Sequence, residues 1–434
     1  KKARPIFTHH EPLNHDALVV GGGVAGMSAA LALADQGMGQ VTIVERAKEL
    51  GGIARKLERS LDGSPVKPAV EAMMARVNEH PRITVISDAL VVDHDGQVGA
   101  FVTGVQSGPG MYYQQINHGV TILATGAKEY APTEYMHGVN PKVMTQLGME
   151  KLLAKGDGSD AALDTVVMIQ CVGSRNEVNP SCGRICCRSA VKNALWLKEL
   201  KPEAQIYVLY RDMRMPYVAE EAYQKAREQG ILFVRFSADD PPEAYEEDGE
   251  LLVRFTDKVL ERKLVVAPSA LVLSTPQIAP DEEIEELAEI FRLQRTASGY
   301  LMEEHVKLKP VDSPVPGLFL AGSVLAPKSL NEAQVQGLAA AGRALTLLAR
   351  ESLAVEGGVA TVKGEICAAC LVCVRACPFE VPFINADGYS QIDPAKCQGC
   401  GVCAAECPAK AIQLQGYQDD QIMGRTDALL EGVL

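Results

Sequence analysis

Short apolar runs alternate with stretches of helical periodicity along most of the chain. The run ALVV (17–20) is followed by MSAALALADQG, whose small and apolar residues recur at helical spacing up to Gly37. The alternation returns in the middle of the chain, where three apolar runs are separated by two helical stretches: TVVMIQ (165–170), helix 184–200, IYVLYR (206–211), helix 217–229 and LFVRFS (232–237). Strands that alternate with helices predict an α/β fold with parallel sheets.

A glycine-rich turn follows the first predicted strand at once. The segment GGGVAG places Gly21, Gly23 and Gly26 in the spacing G-x-G-x-x-G, and VTIVE ends in Glu45. At such a turn the first glycine allows the bend, the second lets a pyrophosphate approach the backbone, and the third lets helix pack on strand. An acidic residue placed like Glu45 can bind a ribose hydroxyl. The pattern predicts a dinucleotide site, and the alternative is a glycine-rich structural turn.

Three further segments resemble flavoprotein motifs and favour FAD over NAD. Gly52 belongs to a second glycine pair, ILATGAKEY carries an ATG signature, and segment 316–344 resembles the closing flavin motif. The closing motif departs from the usual pattern at Ser323, where most flavoproteins have an Asp that grips the ribityl chain. The residues predicted to bind FAD are Gly21, Gly23, Gly26, Glu45, Gly52, Ala124, Thr125, Gly126, Gly322, Ser323 and Gln336.

The last helix of the closing motif is predicted to point its N-terminus at the flavin ring. Asn331 is the expected N-cap, with the helix starting near Glu332. The helix dipole would favour negative charge on a reduced flavin. Lys328 lies just before this helix and could tune the ring electrostatically, and the alternative is a solvated loop lysine.

The opening and closing flavin motifs lie far apart in the chain, which predicts a discontinuous FAD domain with an insert. In flavoproteins of the thioredoxin reductase type such an insert is a second Rossmann unit for NAD(P)H. Here the chain has no second G-x-G-x-x-G, and CVGSRNEVNPSCGRICC (171–187) takes its place. The predicted domains are 1–159 and 266–355 for FAD, 160–265 for a Rossmann-like insert, and 356–434 for a C-terminal ferredoxin domain.

Twelve cysteines fall in three groups of four, which favours metal clusters over disulfides. The first group is Cys171, Cys182, Cys186 and Cys187. Cys182 and Cys186 would share a helix face if the helix begins early, while Cys186 and Cys187 can face one cluster only at a helix end. Thiolates bind soft metals and iron–sulfur clusters, and the spacing fits neither usual zinc pattern. A redox disulfide or buried structural cysteines are the alternatives.

The other two groups each have the spacing C-x2-C-x2-C-x3-C-P, in CAACLVCVRACP and CQGCGVCAAECP. This is the bacterial two-cluster ferredoxin pattern, in which each fourth cysteine serves the other cluster. The predicted ligand sets are Cys367, Cys370, Cys373 and Cys407 for one 4Fe–4S cluster, and Cys397, Cys400, Cys403 and Cys377 for the second. Paired zinc sites are the alternative. VPFI and AIQL are predicted strands, and GGVATVKGE (357–365) is the predicted linker.

Composition narrows the classes of function. The net charge of -13 argues against nucleic-acid binding, which needs basic patches. No uninterrupted apolar stretch is long enough for a membrane span, and no apolar signal sequence opens the chain, so we expect a cytoplasmic protein. The opening KKARP, which lacks Met, is consistent with an upstream segment missing from this sequence.

The chain resembles the A subunit of heterodisulfide reductase and its relatives over nearly its whole length. QCVGSR with its following C-x3-CC, LFLAGSVLAPKSLNEAQ, the ferredoxin pair and the tail GYQDDQIMGRTDALL carry the resemblance. It implies a third 4Fe–4S cluster at the first cysteine group, and an oxidoreductase that couples two-electron flavin chemistry to one-electron cluster transfer. Larger members carry an N-terminal cysteine-containing domain and an inserted ferredoxin module; residues 51–120 contain no cysteine, so we expect a short form without these modules.

The resemblance also implies partners. They are other redox subunits, either heterodisulfide reductase B and C or subunits linked to hydrogenase or formate dehydrogenase, in a dimer of complexes. Some members bifurcate electrons at the flavin. The alternative is a non-bifurcating relay protein, as in class II benzoyl-CoA reductase or quinone-linked sulfur metabolism. A self-contained NAD(P)H oxidoreductase, resembling the small subunit of glutamate synthase, would need a second nucleotide motif.

Overall fold

The computed structural model describes residues 9–155, 163–355, 358–394 and 396–431. The predicted domain boundary at 159/160, the boundary residue 356 and the first linker residue, Gly357, lie outside these ranges. The chain forms two similar α/β units, one of them interrupted by the other, and a small C-terminal unit.

The first unit begins with β1 to β9. Its elements are β1 (His9–Pro12), β2 (Ala17–Val20), α1 (Val24–Asp35), β3 (Val41–Val44), a 3-10 helix (Gly52–Lys56), α2 (Val66–Glu79), β4 (Ile83–Ile86), β5 (Ala89–Gln97), β6 (Ala100–Ser107), β7 (Tyr112–His118), β8 (Val120–Leu123) and β9 (Lys128–Glu129).

The second unit follows without interruption. Its elements are β10 (Val143–Thr145), α3 (Gln146–Ala154), β11 (Thr165–Ile169), α4 (Cys186–Leu200), β12 (Gln205–Tyr210), α5 (Ala219–Glu228), β13 (Leu232–Arg235), β14 (Glu243–Glu247), β15 (Glu250–Asp257), β16 (Arg262–Val266) and β17 (Ala270–Leu273).

The chain then completes the first unit. The elements are β18 (Gln277–Ile278), α6 (Asp281–Ile290), β19 (Leu318–Leu320), a 3-10 helix (Gly322–Val324), α7 (Leu330–Leu348) and β20 (Ser352–Val355). The C-terminal unit contains β21 (Ala360–Val362), a 3-10 helix (Gly364–Ile366), α8 (Val372–Ala376), β22 (Phe383–Ile384), β23 (Ser390–Gln391), α9 (Val402–Glu406), β24 (Ile412–Leu414) and α10 (Asp419–Leu430).

The two α/β units repeat one plan. The first has a parallel sheet in the order β19-β8-β2-β3-β4 and an antiparallel meander β5-β6-β7. The second has a parallel sheet in the order β10-β17-β11-β12-β13 and the meander β14-β15-β16. In the first unit the meander leads to β8, which pairs with β2; in the second unit it leads to β17, which pairs with β11. The strands β2 and β8 therefore correspond to β11 and β17. The turn after β2 therefore corresponds to the loop after β11.

Buried aliphatic residues hold each sheet to its helices. The strand β2 is buried along its whole length, as expected for a central parallel strand covered on both faces. Helix α1 packs closely against α7, because a Cβ on Gly337 would stand 2.2 Å from the carbonyl oxygen of Ala25. This contact joins the opening flavin motif to the closing one.

Three sequence-based expectations differ from the structure. The second sheet takes β10 from before residue 160 and β17 from after residue 265, so the insert extends further than predicted at both ends. The predicted linker contains β21, which pairs with β24. The N-cap of α7 is Ser329, not Asn331. The Ser329 hydroxyl accepts the backbone N–H of Glu332, and the Glu332 carboxylate accepts the backbone N–H of Ser329, which completes a capping box. Asn331 lies inside the helix.

Candidate functional site

The glycine turn after β2 is packed as a dinucleotide turn requires. Gly21 has φ 106°, and a Cβ there would stand 2.4 Å from the carbonyl oxygen of Ala124. A Cβ on Gly26 would stand 1.9 Å from the carbonyl oxygen of Gly21, so only glycine lets α1 pack on β2. A Cβ on Gly23 would meet nothing within 4 Å. Because Gly23 is the N-cap of α1, this open space lies where unpaired helical N–H groups can bind phosphate.

Glu45 lies beside this turn at the end of β3. Its carboxylate accepts the backbone N–H of Gly22 at 2.6 Å and that of Ala47 at 2.8 Å. The second glycine pair adjoins the same turn, because Gly51 N–H donates to Gly22 O at 2.8 Å and Gly51 pairs with Gly23. A carboxylate oxygen has a further lone pair, so Glu45 can still accept a ribose hydroxyl.

The ATG segment carries a buried polar atom that lacks a partner. The hydroxyl of Thr125 is buried, and no group of the described chain bonds to it. Such atoms are rare in folded proteins and call for an explanation, often an absent ligand. Ala124 N–H is bonded to Val20 O at 2.7 Å, so Thr125 follows directly after the strand beside β2. The orphan hydroxyl and the open glycine turn fit a bound dinucleotide.

The closing motif meets the opening one at Gly322. Its φ is 79°, and a Cβ there would stand 2.8 Å from the Cβ of Ala25 on α1. Gln336 on α7 accepts the Gly322 N–H at 3.0 Å. The Ser323 hydroxyl donates to the side-chain oxygen of Gln277 at 3.0 Å. Ser323, which stands where most flavoproteins have an Asp, is therefore hydrogen-bonded to a protein side chain.

Gln277 also holds the backbone of Lys328. Its side-chain oxygen accepts the Lys328 N–H at 3.0 Å, and its side-chain nitrogen donates to the Lys328 carbonyl at 3.3 Å. Burial lowers the pKa of the Lys328 amine, and the nearby charge of Arg184 lowers it further. Lys328 therefore lies partly buried next to the N-terminus of α7. No local sequence signal marks Gln277, because its partners lie about 50 residues away.

The first cysteine group occupies the loop between β11 and α4. Cys186 and Cys187 are the first two residues of α4, at a helix end as the prediction required. Cys182 lies outside the helix, so it does not share a helix face with Cys186. Burial raises the pKa of Cys186 well above its usual value, and the neighbouring Cys187, Cys171 and Cys182 raise it further. Burial likewise raises the pKa of Cys187 to about 11, with Cys171 and Cys182 adding to the rise. Cys186 and Cys187 are therefore buried, while Cys171 and Cys182 lie near them and are only partly buried.

This cysteine loop packs against the first unit at the start of α7. The guanidinium of Arg184 donates to Pro327 O at 3.2 Å and to Glu332 at 2.9 Å, and its backbone N–H donates to Cys182 Sγ at 3.4 Å. Cys186 Sγ donates to Thr275 O at 3.4 Å. One residue thus joins a predicted cluster ligand to the segment that precedes α7.

In the C-terminal unit one cavity gathers the first predicted ligand set. A small cavity, open in part to solvent, is lined by Cys367, Cys370, Cys373 and Cys407. Three of these come from the first motif and one from the second. Ser390 N–H donates to Cys367 Sγ at 3.4 Å and Ala411 N–H to Cys407 Sγ at 3.3 Å. Hydrogen bonds to sulfur are one means by which a protein sets a cluster's reduction potential.

The second predicted set lies around Cys403. Burial raises the pKa of Cys403 to about 11, and the neighbouring thiols that raise it further are Cys397, Cys377 and Cys400. Here Cys377 from the first motif joins three cysteines of the second. All twelve cysteines are free thiols. Within the described ranges no three His, Cys, Asp or Glu side chains lie close enough to hold a single metal ion. A four-iron cluster is larger than one ion, so the three ligand sets stay predictions.

Relatives with established names align along almost the whole chain. The A subunit of the ferredoxin:CoB–CoM heterodisulfide reductase of Methanosarcina acetivorans is 28% identical over 557 residues, covering 99% of this chain and 69% of that protein. The second iron–sulfur A subunit of the CoB–CoM heterodisulfide reductase of Methanopyrus kandleri is 30% identical over 466 residues, covering 86% and 70%. This chain belongs to the heterodisulfide reductase A-subunit family. It is accordingly a flavin and iron–sulfur oxidoreductase subunit.

Family models and solved structures agree with this membership. Residues 19–85 match an NAD(P)-binding Rossmann-like domain, and residues 390–413 match a 4Fe–4S binding domain. Thioredoxin reductases share the fold: that of Lactococcus lactis has a TM-score of 0.52 at 18% identity, covering 77% of this chain and 99% of that one. The enzyme from T. acidophilum has a TM-score of 0.52 at 14% identity, covering 76% and 98%. These findings confirm the predicted fold class, and they support FAD and at least one iron–sulfur cluster.

No helix within the described ranges is long and apolar enough to cross a membrane.

Proposed function

We propose that this chain is the FAD and three-cluster electron-transfer subunit of a cytoplasmic heterodisulfide reductase-like complex. One observation carries the proposal: a cysteine loop stands where a second glycine turn would stand, and it contacts the segment before the flavin-facing helix through Arg184. When bound, the flavin would exchange electrons in pairs and each cluster would pass one at a time.

The FAD would be held by the first unit, in two parts near residues 9–130 and 277–355. The α1 N-terminus would bind the pyrophosphate, Glu45 the ribose and the orphan hydroxyl of Thr125 the cofactor beside β8. Lys328, partly buried before α7, would favour negative charge near the flavin-facing helix. Gln277 would fix the Lys328 backbone in place.

The cysteines would hold three 4Fe–4S clusters in separate units. The insert would carry the set Cys171, Cys182, Cys186 and Cys187, and the C-terminal unit would carry the two swapped ferredoxin sets. Cys186 and Cys187 lie at the N-terminus of α4, whose partial positive charge favours thiolate. We propose that the insert cluster lies between the flavin and partner subunits, and that the ferredoxin pair forms a second branch.

The names of the relatives favour a branched route. One relative, 28% identical, is the A subunit of the H2:CoB–CoM heterodisulfide,ferredoxin reductase of Methanothermobacter marburgensis, and its name gives one donor and two acceptors. A flavin joined to two cluster branches could serve two acceptors, as electron bifurcation requires. The complex would pair this chain with B- and C-type subunits or with hydrogenase- or formate dehydrogenase-linked subunits, in a dimer of complexes.

Replacing a ligand of the insert cluster tests the proposal. Cys187→Ser should lower the iron content from about twelve to about eight per chain, keep FAD, and abolish reduction of a partner subunit by the flavin. Ser189→Ala is the matched control, because within the described residues its hydroxyl bonds only to Ile185 O of the same helix turn. Partner reduction that survives in Cys187→Ser with the cluster absent would disprove the route.

Nicotinamide reactivity separates this function from a self-contained reductase. Neither NADH nor NADPH should bleach the flavin absorbance of the isolated protein at a useful rate, because the second unit has a cysteine loop in place of a glycine turn. Rapid bleaching by either nucleotide would favour the NAD(P)H oxidoreductase instead. Reduction of a single acceptor at every donor potential tested would favour the non-bifurcating relay.

A further inference from the structure

A loop of the first unit reaches between helices α3 and α4 of the second. It lies between the 3-10 helix Gly52–Lys56 and α2. The backbone N–H groups of Glu58 and Arg59 both donate to Glu150 Oε1, at 2.8 Å and 3.0 Å. Lys192 Nζ donates to the carbonyl oxygen of Arg59 at 3.0 Å. Side chains of the second unit therefore satisfy three backbone groups of this loop.

Glu150 and Lys192 also form a buried ion pair with each other. Lys192 Nζ lies 2.7 Å from Glu150 Oε2, and the two side chains are 9% and 2% exposed. Removing two charges from water is costly unless they pair well and their remaining polar positions are bonded. The loop backbone supplies those bonds. The ion pair and the loop thus depend on each other, although they belong to different units.

Further side-chain contacts surround the ion pair. The Arg59 guanidinium lies 4.3 Å from the ring centroid of Trp196 on α4 and donates to Glu199 at 2.8 Å. Leu61 packs against the core of the second unit. We call the loop backbone, Glu150 and Lys192 the interunit clamp.

The clamp is connected along the chain to both predicted cofactor sites. Its loop follows Gly51 and Gly52, the pair beside the dinucleotide turn, and Lys192 lies on α4, which begins with the predicted ligands Cys186 and Cys187. The chain passes between the units through β9 and β18, which pair over only two residues each. So short a connection leaves the orientation of the units to other contacts, namely the clamp on one side and the Arg184 contacts with Pro327 and Glu332 on the other.

We propose that Glu150 and Lys192 are positioning residues that hold the two units in one orientation, so that the distance from flavin to insert cluster stays constant during turnover. This inference rests on the proposed function, because it needs a flavin in one unit and a cluster in the other. Electron transfer between them then requires no domain motion.

The viscosity dependence of electron transfer tests this. In the wild-type protein the rate from photoreduced flavin to the insert cluster should not change with solvent viscosity. The double variant Glu150→Leu/Lys192→Met removes both buried charges without stranding either, so it should fold even where a single change would not. In buffer of threefold higher viscosity its rate should fall by about threefold, because a domain motion now precedes transfer.

Two further variants separate charge from packing. Lys198→Met is the matched control, since in the described part of the chain this α4 lysine bonds only to Pro202 O of its own unit. It should behave as wild type. Lys192→Arg keeps the charge and a donor and should retain most of the viscosity independence. A wild-type rate that depends on viscosity, or a double variant whose rate does not, would overturn the proposal.

Hydrogen exchange tests the clamp without any redox step. The Glu58 and Arg59 amides should exchange slowly in wild type and at least tenfold faster in the double variant, with the α4 amides unchanged. Protection that persists in the double variant overturns the clamp whatever the clusters do. Absence of the insert cluster with a protected loop overturns the proposed function alone.

Discussion

Swapped cluster ligation in the C-terminal unit can be tested by counting iron. In the structure Cys407 lines one cavity with Cys367, Cys370 and Cys373, while Cys377 lies near the thiol of Cys403. If each fourth cysteine serves the other motif's cluster, Cys377 shares a cluster with Cys400 and not with Cys370. Pairs of alanine substitutions distinguish this swapped arrangement from one in which each motif binds its own cluster.

The proposed cluster content sets the size of the effect. With three 4Fe–4S clusters, each would contribute about four of about twelve irons. Cys377→Ala/Cys400→Ala removes two ligands of one cluster and should leave about eight irons, whereas Cys377→Ala/Cys370→Ala damages both clusters and should leave about four. Cys370 and Cys400 are suitable because both are exposed, so alanine there disturbs little packing.

The assay is iron and acid-labile sulfide per chain after anaerobic purification. A mirror pair built on Cys407 supplies the control: Cys407→Ala/Cys370→Ala should keep about eight irons and Cys407→Ala/Cys400→Ala about four. General instability would lower all four variants alike, since each carries two substitutions. If the two values in each pair are exchanged, each motif binds its own cluster and the reasoning from the cavity is wrong.

Three more predictions concern the first unit. Gly26→Ala should abolish FAD binding while leaving the iron of the C-terminal unit, because the added Cβ would stand 1.9 Å from Gly21 O; flavin absorbance measures it. Thr125→Val should weaken FAD binding by roughly fivefold to tenfold, the cost of about one lost hydrogen bond, in a titration of deflavinated protein. Burial lowers the pKa of His94 to about 4 and of His118 to about 3 in the folded protein. Both histidines are neutral above pH 6.5 whether the chain is folded or not, so burying them reduces stability only as the pH falls below that value. At pH 5 each histidine should lower the free energy of unfolding, measured with denaturant, by about 2 kcal/mol, and His94→Gln should reduce that loss.

Local signals identified the elements that begin each unit. ALVV became β2 with the predicted bounds, and the glycines behind it pack as their spacing requires. This succeeds because a buried parallel strand and a tight turn depend on residues that are adjacent in sequence. The same holds for the strand that precedes Cys171, which became β11.

The cap of α7 carried a local signal that the prediction of Asn331 missed: Ser329 and Glu332, three residues apart, form the S-x-x-E pattern of a capping box. Longer-range features could not be predicted from the sequence. The second sheet extends past 160–265 because β10 and β17 join it from flanking segments, which sequence periodicity does not reveal. The ion pair of Glu150 and Lys192 leaves no local trace, since its members and their loop come from three separate stretches of chain.

The pairing of β21 with β24 places the two ends of the segment that carries the eight ferredoxin cysteines side by side. Val362 lies opposite Ile412, and the chain enters and leaves the cluster-bearing segment through neighbouring strands. A segment whose ends meet can be joined to a host chain at a single surface point, without stretching either partner. Fusion, loss or transfer of this two-cluster segment therefore requires no rearrangement of the flavin-binding fold. Electron-transfer chains of different length can thus evolve around one flavin site.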